Sequence, residues 1–125
     1  MSHMTPVKWS PSDLDMLLEL AREQGFEVLT NTRARFYNGA TKECDVCLRH
    51  GSSDFDIALT KFVGRYVVEY DKFSNHGDFL TRSLRSIHEE YVVRSQMRVA
   101  QLNGYRVTRQ KNERGQTQLV ATRRR

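Results

Sequence analysis

The chain has 125 residues, 38% hydrophobic and 28% charged, with a formal net charge of +5. Length and balance predict one folded domain that buries a core without metal or disulfide staples, and they exclude a disordered chain. The apolar runs are only a few residues long, far short of the roughly 18 that a membrane span needs, so no membrane partner is expected.

The charge is unevenly placed. Residues 1–78 carry 9 Lys/Arg against 12 Asp/Glu, whereas residues 79–125 carry 11 against 3. A basic C-terminal third predicts an anionic partner or an acidic protein surface. There is no basic-then-apolar signal pattern at the start, and two cysteines without one read as reduced thiols, so a cytoplasmic location is expected. Without linker or repeat, the chain reads as a single domain over 1–125, with 121–125 as a frayed basic tail.

In chain order, Ser10-Pro11-Ser12-Asp13 predicts a helix start, with Ser10 as the cap and Pro11 at the first helical position. Leu14, Leu17, Leu18 and Ala21 then recur at helical spacing, and Gly25 ends the helix. Strand-like runs follow at Phe26–Thr30 and Arg33–Tyr37, with a bend between them. Asn38-Gly39 is a hairpin signal because both central residues of a type I′ turn need positive φ. The return strand holds Cys44, Val46 and Leu48. After the His50–Ser53 turn, Phe55, Ile57 and Leu59 alternate with Asp54, Asp56 and Ala58, which predicts one buried face and one wet face. The chain turns again at Gly64 into Arg65–Asp71, where Tyr66, Val68 and Tyr70 share a face.

A long helix is predicted from about Phe79 to Asn103, closed by Gly104. Leu80, Leu84, Ile87, Tyr91 and Leu102 fall in one arc of it, His88 lies at the arc's edge as a partly buried residue, and Arg98 falls inside the arc. The last element is a hairpin of Tyr105–Thr108 and Gln116–Thr122 around Asn112–Gly115. The expected fold is α+β: a curved antiparallel sheet with two amphipathic helices on one face and a terminal β-hairpin.

Several stretches match a known pattern: the Met1-Ser2-His3 start, Phe36-Tyr37-Asn38-Gly39 ahead of a strand containing Asp45, Asp56-Ile57-Ala58, Tyr91-Val92-Val93 and Gly104-Tyr105-Arg106-Val107. On these the chain resembles, over nearly its whole length, an uncharacterised family first noted as a hypothetical chloroplast reading frame and also met in cyanobacteria and bacteriophages. The resemblance implies one domain and a native Met1–Met4, and it brings no established activity, cofactor or catalytic residue. The family pattern tends to finish with an aromatic after basic residues, whereas this chain finishes Thr122-Arg123-Arg124-Arg125.

Catalytic chemistry finds little purchase. Cys44-Asp45-Val46-Cys47 has zinc-knuckle spacing but no second pair, and residues three apart on a strand point to opposite faces, so ordinary strand cysteines are expected and no metal. His88-Glu89-Glu90-Tyr91-Val92 lacks the second histidine of a zinc-protease helix. Phosphate-loop and nucleophile-elbow motifs are absent, so neither an enzyme nor a cofactor is expected. Tyr66 and Tyr70 share their face with Val68, which favours a buried face over an RNA-stacking platform. Arg33, Arg35 and Tyr37 share a strand face that suits a phosphate chain with a stacked base, against the simpler reading of a solvated surface.

Two surfaces remain. On the long helix, Phe79, Val93, Met97 and Ala100 form a second apolar stripe nearly opposite the core arc. Either the terminal hairpin covers it or it contacts another chain, most simply in a homodimer. Arg106, Arg109, Lys111, Arg114 and Arg123, Arg124 and Arg125 lie on or beside the last hairpin, suited to an acidic protein surface or to nucleic acid, against the simpler reading of a solubilising surface with a frayed arginine tail. The expected function is therefore a non-catalytic interaction or regulatory module using the long helix and the basic hairpin, with nucleic-acid binding as the alternative.

Overall fold

The computed structural model describes residues 4–123, with side chains from Val7 onward; Met1-Ser2-His3, Arg124 and Arg125 lie outside them. The fold is α+β. In chain order the elements are β1 (Met4–Pro6), α1 (Leu14–Glu23), β2 (Glu27–Arg35), β3 (Thr41–Arg49), β4 (Ile57–Phe62), β5 (Arg65–Asp71), α2 (Ser74–Leu102), β6 (Tyr105–Lys111) and β7 (Thr117–Arg123). Strands β1–β5 form an antiparallel sheet in the order β1-β5-β4-β3-β2, and β6 and β7 form a separate two-stranded sheet. The chain divides into two compact units, Met1–His88 and Glu89–Arg125, so α2 supplies residues to both.

The first unit is built on its apolar alternation. Val46, Leu48, Ile57, Leu59, Val68 and Tyr70 are buried on one face of the sheet by register. Leu17 and Leu20 of α1 and Leu80, Leu84 and Ile87 of α2 are buried with them, each such side chain stabilising the fold by about 1.5–3 kcal/mol. The Tyr70 hydroxyl meets Thr81 Oγ1 at 2.6 Å, tying β5 to α2. Gln24 Nε2 donates to Ser86 Oγ at 2.8 Å, tying the end of α1 to the same helix.

The cap of α1 is Asp13, whose Oδ1 accepts from Met16 N at 3.1 Å. The expected cap, Ser10, instead donates its hydroxyl to Tyr66 O at 3.0 Å, and Pro11 O accepts from Tyr66 N at 3.1 Å. The start of β5 captures this segment, which moves the helix start three residues on. Strand β1 carries no alternation in sequence; it is held by backbone pairing, Met4 opposite Asp71 and Pro6 opposite Glu69.

The β2–β3 hairpin closes as expected, with Asn38 at φ 59° and Gly39 at φ 74°. Asn31, at φ 52°, bends β2 midway, a conformation Asn tolerates better than most residues. The far end of β2 thereby returns to the start of β4, where Asp56 N donates to Arg35 O at 2.9 Å and Arg35 N donates to Asp56 Oδ2 at 2.9 Å. This curl covers what would otherwise be the wet face of β4. Asp56 and Ala58, expected outside, are fully buried. Cys44 and Cys47 join Ala34, Phe36 and Ala58 in one apolar cluster instead of parting to opposite environments.

The β4–β5 turn places Val63 at φ 48° and Gly64 at φ 74°. A β-branched residue is strained there, and Val63 is 83% exposed, so no packing offsets the strain. Val63→Asn, which repeats the Asn-Gly pair of the first hairpin, is expected to stabilise the fold by about 1 kcal/mol and raise Tm by roughly 4 °C. An unchanged or lower Tm by calorimetry would refute that strain.

Candidate interaction surface

The second unit, Glu89–Arg125, has nine Lys/Arg against three Glu, a net charge of +6, so the basic excess of the chain lies there. Gly104, at φ 85°, ends α2 in the left-handed conformation, and its N–H reaches Gln101 O at 3.1 Å. The reversal is immediate, and β6 starts at the next residue. The hairpin turn is held by Asn112, whose Oδ1 accepts from Arg114 N and Gln116 N, both at 2.9 Å.

Strand alternation divides the hairpin into two faces. Tyr105, Val107, Arg109 and Lys111 share one with Leu119, Ala121 and Arg123, while Arg106 lies on the other with Thr108 and Val120. The first face meets α2. Arg109 Nη1 donates to Glu90 Oε2 at 3.1 Å, its Nη2 lies 2.8 Å from Oε1, and Nη2 also approaches Met97 sulfur at 3.7 Å. Arg94 Nε completes the cluster at 3.2 Å from Glu90 Oε1. Hydrogen bonds from Arg109, and less strongly from Arg94, hold the Glu90 carboxyl below its usual value against a smaller upward push from burial.

This arrangement revises the expected surfaces. Phe79 is not on a free stripe. Its ring packs 4.7 Å from His50 and 6.3 Å from Phe26, inside the first unit. Val93, Met97 and Ala100 are half-buried, with Met97 beside Arg109 of the hairpin. Arg106 and Arg109 do not form one phosphate-facing row, because positions an odd number apart on a strand face opposite ways, and Arg109 is already paired. Lys111, Arg114 and Arg123 are exposed. Leu102, expected in the core, is 81% exposed.

What α2 leaves open is a different strip: Val92, Val99 and Leu102 are all exposed. Beside it lies an apolar groove of about 450 Å³, lined by Ser95, Gln96, Val99 and Ala100 of α2, by Asn103 just after the helix, and by Tyr105 and Ala121 of the hairpin. The sequence did carry a signal for the strip, since Val92 and Val99 stand seven apart and Leu102 three further on. Ser95 interrupts that seam, and the neighbouring Val93–Met97 stripe masked it.

In the first unit, the arginine stripe also resolves differently. Arg35 and Arg49 both turn to the fully buried Asp56: Arg35 through Nε at 3.0 Å and Nη2 at 2.9 Å, Arg49 through Nε at 3.2 Å and Nη2 at 3.1 Å. Burial pushes the Asp56 carboxyl up, but the hydrogen bonds from both arginines outweigh it and hold the group below the usual carboxylate value. Arg33 is exposed and pairs with Glu43 at 3.4 Å and Thr41 at 3.2 Å. The Tyr37 ring packs 4.1 Å from Phe73. Arg33, Arg35 and Tyr37 therefore answer three different partners.

His88 is exposed and stacks on Trp9 at 4.7 Å, unlike the partly buried residue expected. Cys44 and Cys47 are free and buried, and burial pushes the Cys47 thiol up to about 12, far from a reactive thiolate. Among the described residues no three His, Cys, Asp or Glu gather as a metal would require, and no helix is long and apolar enough to cross a membrane. No family model, no curated protein and no solved structure matches this chain.

Proposed function

We propose that this chain is a non-catalytic binding protein of the cytoplasm whose second unit engages an acidic protein surface, its own or a partner's. The observation that supports this reading is the coincidence, in Glu89–Arg125, of a net charge of +6 with the exposed strip of Val92, Val99 and Leu102. Charge steers an acidic surface toward the unit, and the strip supplies apolar area to desolvate on contact. The two buried free thiols of the first unit suit a reducing compartment. Exposed Arg106, Lys111 and Arg114 at the hairpin favour nucleic acid as the second reading.

Binding of the full chain to polyglutamate and to a 20-base-pair DNA duplex, measured across a salt series, tests the reading. The acidic polymer is expected to bind at low salt, and Arg106→Glu with Lys111→Glu and Arg114→Glu is expected to weaken it at least tenfold. No binding at low salt, or binding indifferent to the triple variant, would sink the proposal. Tighter binding to DNA with a steeper salt slope would transfer it to the second reading. Light scattering on the same samples separates self-association from the 14.6 kDa single chain.

A further inference from the structure

We infer that the groove between the end of α2 and the last hairpin is a docking site for a short acidic amphipathic helix of a partner protein. This inference rests on the proposed function and names the partner's chemistry. The groove holds about 450 Å³ and presents Val99, Ala100, Tyr105 and Ala121, with Ser95, Gln96 and Asn103 as its polar groups. It is open to solvent along its length and its lining is mostly apolar, which suits a side-on contact and not an enclosed small ligand.

The exposed strip gives the occupant its shape. Val92 and Leu102 stand ten residue steps apart, about 15 Å along a helix, and the seven-and-three spacing is the seam one helix offers another. A partner helix of three turns, with apolar residues at i, i+3 or i+4, and i+7, matches that length and lays its anchors over Val92, Val99 and Leu102.

Charge gives the occupant its sign. Arg98 stands next to Val99 on α2, and Arg123 stands opposite Tyr105 on the hairpin; both are exposed. None of the three glutamates of the unit lines the groove. Glu90 is held by Arg109 and Arg94, Glu113 sits in the hairpin turn, and Glu89 lies more than a turn before Ser95. A second copy of this unit would bring its own arginines against Arg98 and Arg123, so like charge disfavours the homodimer here. A nucleic acid offers phosphates for the rim but no aliphatic side chains for the groove. An acidic helix with an apolar face satisfies both.

Fluorescence anisotropy with the full chain tests this. One labelled 14-residue peptide carries leucines at i, i+3, i+7 and i+10 among glutamates and alanines, and a second has the same composition scrambled. The ordered peptide is expected to bind at least tenfold more tightly than the scrambled one. Val99→Asp, at an exposed position that leaves the fold intact by circular dichroism, is expected to weaken the ordered peptide at least tenfold. Arg98→Glu with Arg123→Glu is expected to weaken it about fivefold and to flatten its salt dependence. Equal binding of the two peptides, or indifference to Val99→Asp, overturns the inference. If polyglutamate still binds in that case, the docking groove fails alone; if polyglutamate is lost as well, the proposed function fails with it.

Discussion

Replacing Asp56 with alanine is expected to lower the unfolding free energy by about 3 kcal/mol, read as a fall in the urea midpoint at unchanged m-value. The carboxylate is fully buried and takes five hydrogen bonds, from Arg35 N, Nε and Nη2 and from Arg49 Nε and Nη2. Breaking a buried pair by deleting one partner costs about 3–5 kcal/mol. Here the survivors are arginines whose side chains are 41% and 34% exposed, so their guanidiniums can turn to water and the lower end applies. Asp56→Asn should lose nearly as much, because an amide nitrogen would face a guanidinium donor to donor. A loss under about 1 kcal/mol would show that the lock contributes little.

The pH dependence carries its own sign. The folded carboxyl of Asp56 sits below its ordinary value, so its contribution is complete above the unfolded value, about 3.9, and is lost as pH falls through the folded one. The stability gap between wild type and Asp56→Ala should therefore hold constant from pH 7 to about pH 5 and close in more acidic solution. A gap that widened with acid would contradict the assignment.

Gly77→Ala is expected to destabilise by about 3 kcal/mol, although the same change in an open helix interior stabilises by about 1 kcal/mol. An added Cβ at Gly77 would fall on the backbone carbonyl of Lys72, which cannot swing aside as a side chain would. That carbonyl belongs to the link between β5 and α2. The link is fixed on both sides, with Phe73 N donating to Asp71 Oδ1 at 2.9 Å and Ser74 held at φ 64°. Gly51 provides the control, since nothing lies within 4 Å of its added Cβ. Gly51→Ala should stay within about 0.5 kcal/mol of wild type. Equal midpoints for the two variants would refute the close approach.

Elements set by local chemistry were legible in the sequence, and elements set by tertiary capture were not. The leucine spacing of α1 and the Asn38-Gly39 turn depend on neighbours a few residues away, and both appear as expected. Ser10 was misread because its hydroxyl is claimed by a carbonyl 56 residues on. The face of Asp56 was misread because alternation assumes a flat sheet, and the bend at Asn31 gives β4 a second cover. The apolar stripe on α2 was real as a pattern, but Phe79 finds His50 and Phe26, and Met97 finds Arg109. Val92 and Val99 were overlooked and Leu102 was assigned to the core, because the usable face of a helix is whichever one its own hairpin leaves uncovered.

The two units also differ in how far apart in sequence their partners lie. Arg35 and Asp56 are 21 residues apart and Ser10 and Tyr66 are 56 apart, whereas Arg109 and Glu90 are 19 apart and the hairpin pairs are closer still. A lone two-stranded ribbon is only marginally stable in water, so β6 and β7 depend on the Glu90 cluster for their hold. Amide exchange should accordingly run on two tiers, with Val107 and Leu119 opening far more often than Leu48 and Leu59. A ligand that binds only the folded ribbon stabilises it by mass action, so occupancy of the groove would register as slowed exchange in the ribbon while the sheet stays silent.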